Sequence, residues 1–203
     1  MALRLRPFPA GSADVVSRWA KTAEEVFMWC GHPDAPVPAE QISAWANEDG
    51  VEQFGLYRDE RLVGYGELWT DDAEEEVELA RLIVDPSERG QGLGQRLVTG
   101  LADLARARYP RVFLRLHPSN IAAQRCYTAA GFTPVEPHQA AQWNVGQPVA
   151  YLWLSPGTKR NLRHAGHRRP GWACRSATVH NHAPRRGPQP YCGQGPACRE
   201  GRC

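Results

Sequence analysis

The chain has 203 residues, 42% of them hydrophobic and 23% charged, with a formal net charge of +2. That composition suits a domain with a buried core, and it excludes a membrane span, since no stretch approaches the ~20 consecutive apolar residues one needs. The near-neutral balance hides a division, because residues 1–155 carry 14 Lys+Arg against 21 Asp+Glu while residues 156–203 carry 10 against 1.

At the N-terminus, Arg4, Arg6 and two prolines stand where a secretory leader would need an apolar run, so no leader is expected. Leu3–Pro7 reads as a first strand, followed by short helices over Ala13–Ala20 and Ala23–Trp29. Thr22-Ala23-Glu24-Glu25 has the form of a capping box for the second helix. A third helix is expected over Ala39–Asn47, then strands over Gln53–Arg58 and Arg61–Trp69 around Asp59-Glu60, a hairpin-length turn. The acidic run Asp71-Asp72-Ala73-Glu74-Glu75-Glu76 reads as a solvated loop, although it would also attract an amine. Val77–Val84 (VELARLIV) is an apolar strand. Period-two alternation puts Glu78, Ala80, Leu82 and Val84 on one of its faces and Leu79, Arg81 and Ile83 on the other.

That strand runs into Arg89-Gly90-Gln91-Gly92-Leu93-Gly94, after which Leu93, Leu97, Leu101 and Leu104 recur at helical spacing. A strand, a glycine-rich turn with one arginine and a helix start make a device for holding phosphate. Glycines let the backbone approach, and the free N–H groups of the first helical turn point at the anion. A P-loop would need a lysine after the glycines. A dinucleotide fingerprint would need Gly-x-Gly-x-x-Gly, whereas Gly90, Gly92 and Gly94 alternate.

Strands are expected over Arg111–Leu116, Phe132–Val135 and Val149–Leu154, with a helix between the first two. On that helix Asn120, Ala123 and Tyr127 share a face at i, i+3 and i+7, and Gly131 suits its C-terminal stop. The spacings Arg-x-x-Gly-x-Gly and Asn-x-x-Ala-x-x-x-Tyr-x-x-x-Gly-Phe resemble, in order, the two acetyl-CoA elements of the GCN5-related N-acetyltransferase (GNAT) superfamily. The resemblance covers roughly residues 3–155. It implies an α/β (α+β) fold whose central mixed, mostly antiparallel sheet is splayed between strands 4 and 5 and flanked by helices.

The resemblance also implies an acyltransferase that moves an acetyl group from acetyl-CoA, as cosubstrate, to a primary amine. Leu82, Ile83 and Val84 would offer backbone groups to the pantetheine amides, Arg89, Gly90, Gln91, Gly92, Leu93, Gly94 and Gln95 would hold the diphosphate, and Asn120 would both cap its helix and touch the cofactor. An amine arrives mostly protonated at neutral pH, because alkylamine pKa values lie near ~10.4. A carboxylate must take its proton, directly or through water. Glu78, on the strand before the loop, resembles the strand-borne base of the histone-acetylating branch, with Glu67 the second candidate. Tyr127 would protonate the departing thiolate. A ribosomal-protein alanine acetylator would carry a glutamate five residues before the asparagine, where this chain has Arg115.

Phe27, Trp29 and Trp69 are candidates for an acceptor pocket, the acceptor being a small-molecule or protein amine. Residues 1–155 form the expected domain, and its two cysteines, Cys30 and Cys126, suit a reducing cytoplasm better than a disulfide framework. Residues 156–203 form a basic Arg/Pro/Gly/Cys-rich tail too poor in aliphatic residues to bury a core, and disorder is expected. Cys174, Cys192, Cys198 and Cys203 with His180 and His182 lack Cys-x-x-Cys spacing, so no metal is expected. Two other classes stay open: a non-catalytic acyl-CoA sensor, and nucleic-acid tethering through the tail. Neither a membrane nor a nucleic acid is an expected partner, and the chain reads as a monomer or homodimer.

Overall fold

The computed structural model describes residues 2–157. The elements are β1 (Leu3–Pro7), α1 (Ala13–Ser17), α2 (Ala23–Cys30), α3 (Ala39–Ala44), β2 (Val51–Arg58), β3 (Arg61–Asp71) and β4 (Glu76–Val84). They continue with α4 (Leu93–Arg106), β5 (Arg111–Leu116), α5 (Ile121–Ala129), β6 (Phe132–Pro134), α6 (Pro137–Trp143) and β7 (Leu152–Pro156). The expectations for the tail, including its disorder, the Cys/His set and nucleic-acid tethering, lie outside the described residues. None of the described helices is long and apolar enough to cross a membrane.

The seven strands form one sheet in the order β1-β2-β3-β4-β5-β7-β6. β4 and β5 are its parallel neighbours, and they pair only at Glu76↔Arg111, Val77↔Val112 and Glu78↔Phe113. Beyond that point β5 turns to β7, pairing Leu114 with Leu154 and Leu116 with Leu152. β4 continues to Val84 with β3 alone. The sheet therefore parts after Glu78, as expected of the fold.

Two cores lie on opposite faces of the sheet. One holds Leu97, Val98 and Leu101 of α4 against Val77, Leu79 and Leu114. The other holds Val16, Val26 and Ile42 of α1–α3 with Trp45, Tyr65 and Ile83. Each leucine or isoleucine fully withdrawn from water contributes roughly 1.5–3 kcal/mol. The apolar stripe of α4 is buried through Leu101, but Leu104 remains 42% exposed.

Three of the changes from the sequence expectations concern α1, α6 and β4. α1 ends at Ser17 rather than Ala20, and Trp19 and Ala20 enter the core just beyond it. α6 went unread because it is seven residues long with no apolar period, although Pro137 at its first turn is a start signal. The third change concerns β4. Its register against β3 pairs Glu67 with Ala80 but Tyr65 with Ile83, so Arg81 and Leu82 together oppose Gly66. This is a β-bulge, and Arg81 takes φ +47 there, a left-handed conformation unusual for a side chain with a Cβ. The bulge breaks the alternation. Leu79, Leu82 and Val84 all pack against the α4 core, while Ile83 joins the other.

Candidate active site

The glycine turn is built to leave amides free. Gly90 and Gly92 sit at φ +79 and +76, in the left-handed region that glycine enters without strain. Gly92 caps α4 with no side-chain hydrogen bond to the first turn. Gly94 is glycine for a different reason, since a Cβ there would lie 2.8 Å from Cys126 Sγ on α5. Among the described residues no backbone carbonyl accepts from the amides of Gly90, Gln91, Gly92, Leu93, Gly94 or Gln95. An anion placed there meets several donors and the positive end of a 14-residue helix.

Side chains around the turn hold its shape. Asp85 caps the short turn Pro86–Glu88 by accepting from Ser87 N at 2.9 Å. Glu88 accepts from Arg58 Nη1 at 2.6 Å, Arg61 Nη1 at 3.0 Å and Gln91 Nε2 at 3.1 Å. The β2–β3 hairpin thus grips the turn through a nearly buried carboxylate. Arg89 points towards α2, where its Nη1 meets Glu25 Oε1 at 2.9 Å. Glu25 is itself part of the capping structure of α2, because its amide donates to Thr22 Oγ1 at 3.1 Å.

Leu82, Ile83 and Val84 lie on the stretch of β4 that has no β5 partner. Asn120 caps α5 by accepting from Ala123 N at 3.1 Å. The open edge of β4 and the free amides of the turn leave backbone groups without a partner among the described residues.

A cleft with ≈ 90 Å³ of free volume opens on the α2 side of the parting, and Phe27, Trp69, Glu78, Arg115, His117 and Tyr151 are among the residues lining it. Glu78 is buried, with its Oε1 3.0 Å from Arg115 Nε. Burial pushes its carboxyl above the ordinary carboxylate range, and the Arg115 and Arg81 guanidinium groups pull the other way. Trp29 also lines the cleft but is tied down, donating from Nε1 to the Arg81 carbonyl at 2.7 Å. Phe27 meets the His117 ring edge-on at 5.7 Å, bridging α2 and the end of β5.

Glu67 stands elsewhere. It is 0% exposed, and it accepts from Tyr65 Oη, from Trp69 Nε1 at 2.6 Å and from Arg81 Nη1 at 2.9 Å. It is not among the residues lining the cleft, so it holds Arg81 and Trp69 in place rather than facing a reactant. Arg81 is stacked between Trp45 at 4.0 Å and Trp69 at 4.7 Å, and its buried Nε has no partner among the described residues.

Tyr127 lies in the α4 core beside Phe132, with ring centroids 6.3 Å apart, and does not line the Glu78 cleft. The two candidate catalytic groups therefore lie in different environments, Glu78 in the cleft and Tyr127 in the α4 core. Burial raises the Tyr127 phenol well above its usual value, so it holds its proton throughout the working pH range. Among the described residues no group of three or more His, Cys, Asp or Glu is placed to hold a metal ion.

Sequence reasoning missed the clamp on Glu88 and the position of Arg115 beside Glu78. The partners in each are 27 to 37 residues apart, and no local pattern marks them.

Comparison with known proteins agrees with this architecture. The model of the acetyltransferase (GNAT) family matches residues 16–132, more than half of the chain. A stretch of 98 residues is 35% identical to the mycothiol acetyltransferase of Jonesia denitrificans, covering 47% of this chain and 30% of that protein. The mycothiol acetyltransferase of Rhodococcus erythropolis is 33% identical over 98 residues, 48% of this chain and 31% of its own. The matched part thus spans about a third of the length of these curated relatives. Among solved structures, AAC(6')-Ib in complex with ribostamycin and coenzyme A superposes with TM-score 0.62 at 17% identity, covering 82% of this chain and 100% of that one. The Vibrio cholerae spermidine N-acetyltransferase in complex with CoA and spermine gives TM-score 0.56 at 18% identity, covering 66% and 82%. At such identities the likeness is one of fold. With its family model matched across both motifs and its sheet parted where that fold parts, the chain belongs to the acetyltransferase (GNAT) family.

Proposed function

We propose that this chain transfers an acetyl group from acetyl-CoA to an amine. The observation that carries the reading is the pairing of an open β4 edge with a run of free amides at the start of α4. The diphosphate rests on the amides of Gly90–Gln95, and the pantetheine arm runs along Leu82–Val84, completing hydrogen bonds that β5 leaves unmade. Glu78 takes the proton of the incoming ammonium. The amine lone pair then attacks the thioester carbon, and the carbonyl electrons move to oxygen. Their return expels the thiolate, which Tyr127 protonates as the C–S bond breaks; the nitrogen sheds its second proton through solvent, which restores Tyr127, so the net release is the one proton held by Glu78. The products are an N-acetyl amine and free CoA.

The names of relatives support an amine acceptor. The fold neighbours include an aminoglycoside acetyltransferase complexed with kanamycin and a spermidine acetyltransferase complexed with spermine, and the curated relatives are mycothiol acetyltransferases. The test is calorimetry of CoA and acetyl-CoA on the full chain, together with thiol release across an amine panel. Binding plus acceptor-dependent thiol release is the expected result. Binding without release with any amine would favour a non-catalytic acyl-CoA sensor, and no binding would end the proposal.

A further inference from the structure

Arg115 is held in an unusual way. Its guanidinium carbon lies 5.8 Å from the Trp69 ring centroid, 5.4 Å from that of Tyr151 and 5.5 Å from that of Trp153. Trp153 is itself fixed, donating from Nε1 to Asn144 Oδ1 at 3.0 Å. Three rings thus fix the position of the guanidinium, and its Nε lies 3.0 Å from Glu78 Oε1 in an ion pair. The two terminal nitrogens have no hydrogen-bond partner among the described residues, they are not among the sealed unpartnered atoms, and the residue lines the cleft. Such a guanidinium presents its planar pair of donors to whatever enters, in the geometry that grips a carboxylate through two parallel bonds.

The other cleft arginine differs. Arg81 is committed to Glu67 and Glu48 through both terminal nitrogens. Arg115 is therefore the cation in the cleft with donors to spare, next to the carboxylate that receives the amine.

We infer that the acceptor is an amino carboxylate, whose carboxylate docks on the terminal nitrogens of Arg115 while its amine faces Glu78. This rests on the acetyltransferase reading above and narrows its substrate class. The Tyr151 hydroxyl, in the same cleft and half-buried, adds a donor for the same anion. A polycation finds no such complement here, because each added ammonium would meet the Arg115 charge.

The experiment measures acetyl-CoA-dependent thiol release by the full chain with the twenty amino acids, the methyl ester of each, and spermidine. The expected result is at least one free acid with kcat/KM roughly ten- to hundredfold above its own ester, the discrimination of one two-pronged charged contact. Arg115→Met should bring that ratio close to one. It lowers all rates as well, because Glu78 loses its counter-ion, so the ratio rather than the rate is the readout. Arg115→Lys keeps the charge without the planar fork, and should retain only part of the preference. If Arg115→Met does not fold by circular dichroism, the Arg115→Lys ratio and calorimetry of the N-acetylated acids against CoA-loaded wild type decide the question.

Equal or better turnover of esters or spermidine overturns the amino-carboxylate assignment while leaving the acetyltransferase reading intact. So does an equal loss for acids and esters in Arg115→Met. Failure of every amine to release thiol overturns both.

Discussion

Burial raises both the carboxyl of Glu78 and the phenol of Tyr127, the groups proposed above as base and acid. A carboxylate raised above its ordinary range by burial is a stronger base once ionised, and a phenol raised likewise stays a proton donor. Because the raised carboxyl must be deprotonated to act, turnover should fall as pH drops through its titration. Glu78→Gln should lower kcat/KM by about 10²–10⁴-fold and flatten that acidic limb. Tyr127→Phe should lower kcat while leaving the acetyl-CoA Kd nearly unchanged, and an unaltered kcat would remove it from the mechanism.

Glu76, two residues earlier, supplies a stability test. Burial pushes its carboxyl up to about 7, with Arg111 opposing and Asp71, Glu74 and Glu78 adding to the rise. Its folded value lies above the unfolded one, so the folded state binds its proton more tightly. The contribution is therefore fully present below the ordinary carboxylate range and is lost as pH rises towards about 7. Glu76→Gln, which stays neutral, should gain on wild type between pH 5 and pH 8 by a Tm difference of ~2–4 °C, measured in parallel melts. A Tm difference that does not change with pH would place that titration elsewhere.

At the scale of elements, the turn before α4 and the helix α2 are joined by one exposed ion pair, Arg89 with Glu25. α2 contributes Phe27 and Trp29 to the cleft, so this contact links the glycine turn to the cleft. A diphosphate on the turn competes with Glu25 for the same guanidinium. Glu25→Gln should therefore tighten CoA binding, by up to roughly fivefold given the ~0.2–1 kcal/mol typical of exposed pairs. Calorimetry at low and moderate salt checks it, and weaker binding in the variant would contradict the competition.

The elements themselves were unevenly legible. α4 and the capped starts of α2 and α5 follow from short-range chemistry: leucines at helical spacing, Thr22 accepting from Glu25 N, Asn120 accepting from Ala123 N. The face assignment of β4 failed because a bulge depends on the partner strand, and nothing in LARLIV marks Arg81 as the extra residue. α6 failed because its contribution is tertiary: Trp143 packs on Phe113 at 4.7 Å and on Trp153 at 4.9 Å.

Across the whole molecule, the parted sheet makes ligand and fold interdependent. Peptide groups of β4 beyond Glu78 lack a β5 partner, and a ligand arm laid along them would complete the sheet. Saturation with acetyl-CoA at about 100 times its Kd should add ~2.7 kcal/mol of stability. Amide exchange should slow at Leu82–Val84 and at Gly90–Gln95, but not along β1. Uniform slowing, or none at these sites, would count against the β4 edge and the turn as the binding place.

What the chain alone determined was the set of local devices: a turn with alternating Gly90, Gly92 and Gly94, a capped helix start, and an Asn–Ala–Tyr face read from spacing. These depend on a few neighbouring residues, and their chemistry is complete within them. What only the folded structure decided was which distant groups meet. It set Arg115 among three rings beside Glu78, gripped Glu88 with two hairpin arginines, enclosed Glu67 behind Arg81, and limited the β4–β5 pairing to three residue pairs. Such meetings arise from register, bulges and packing between segments far apart in the chain, where no short pattern encodes the partner.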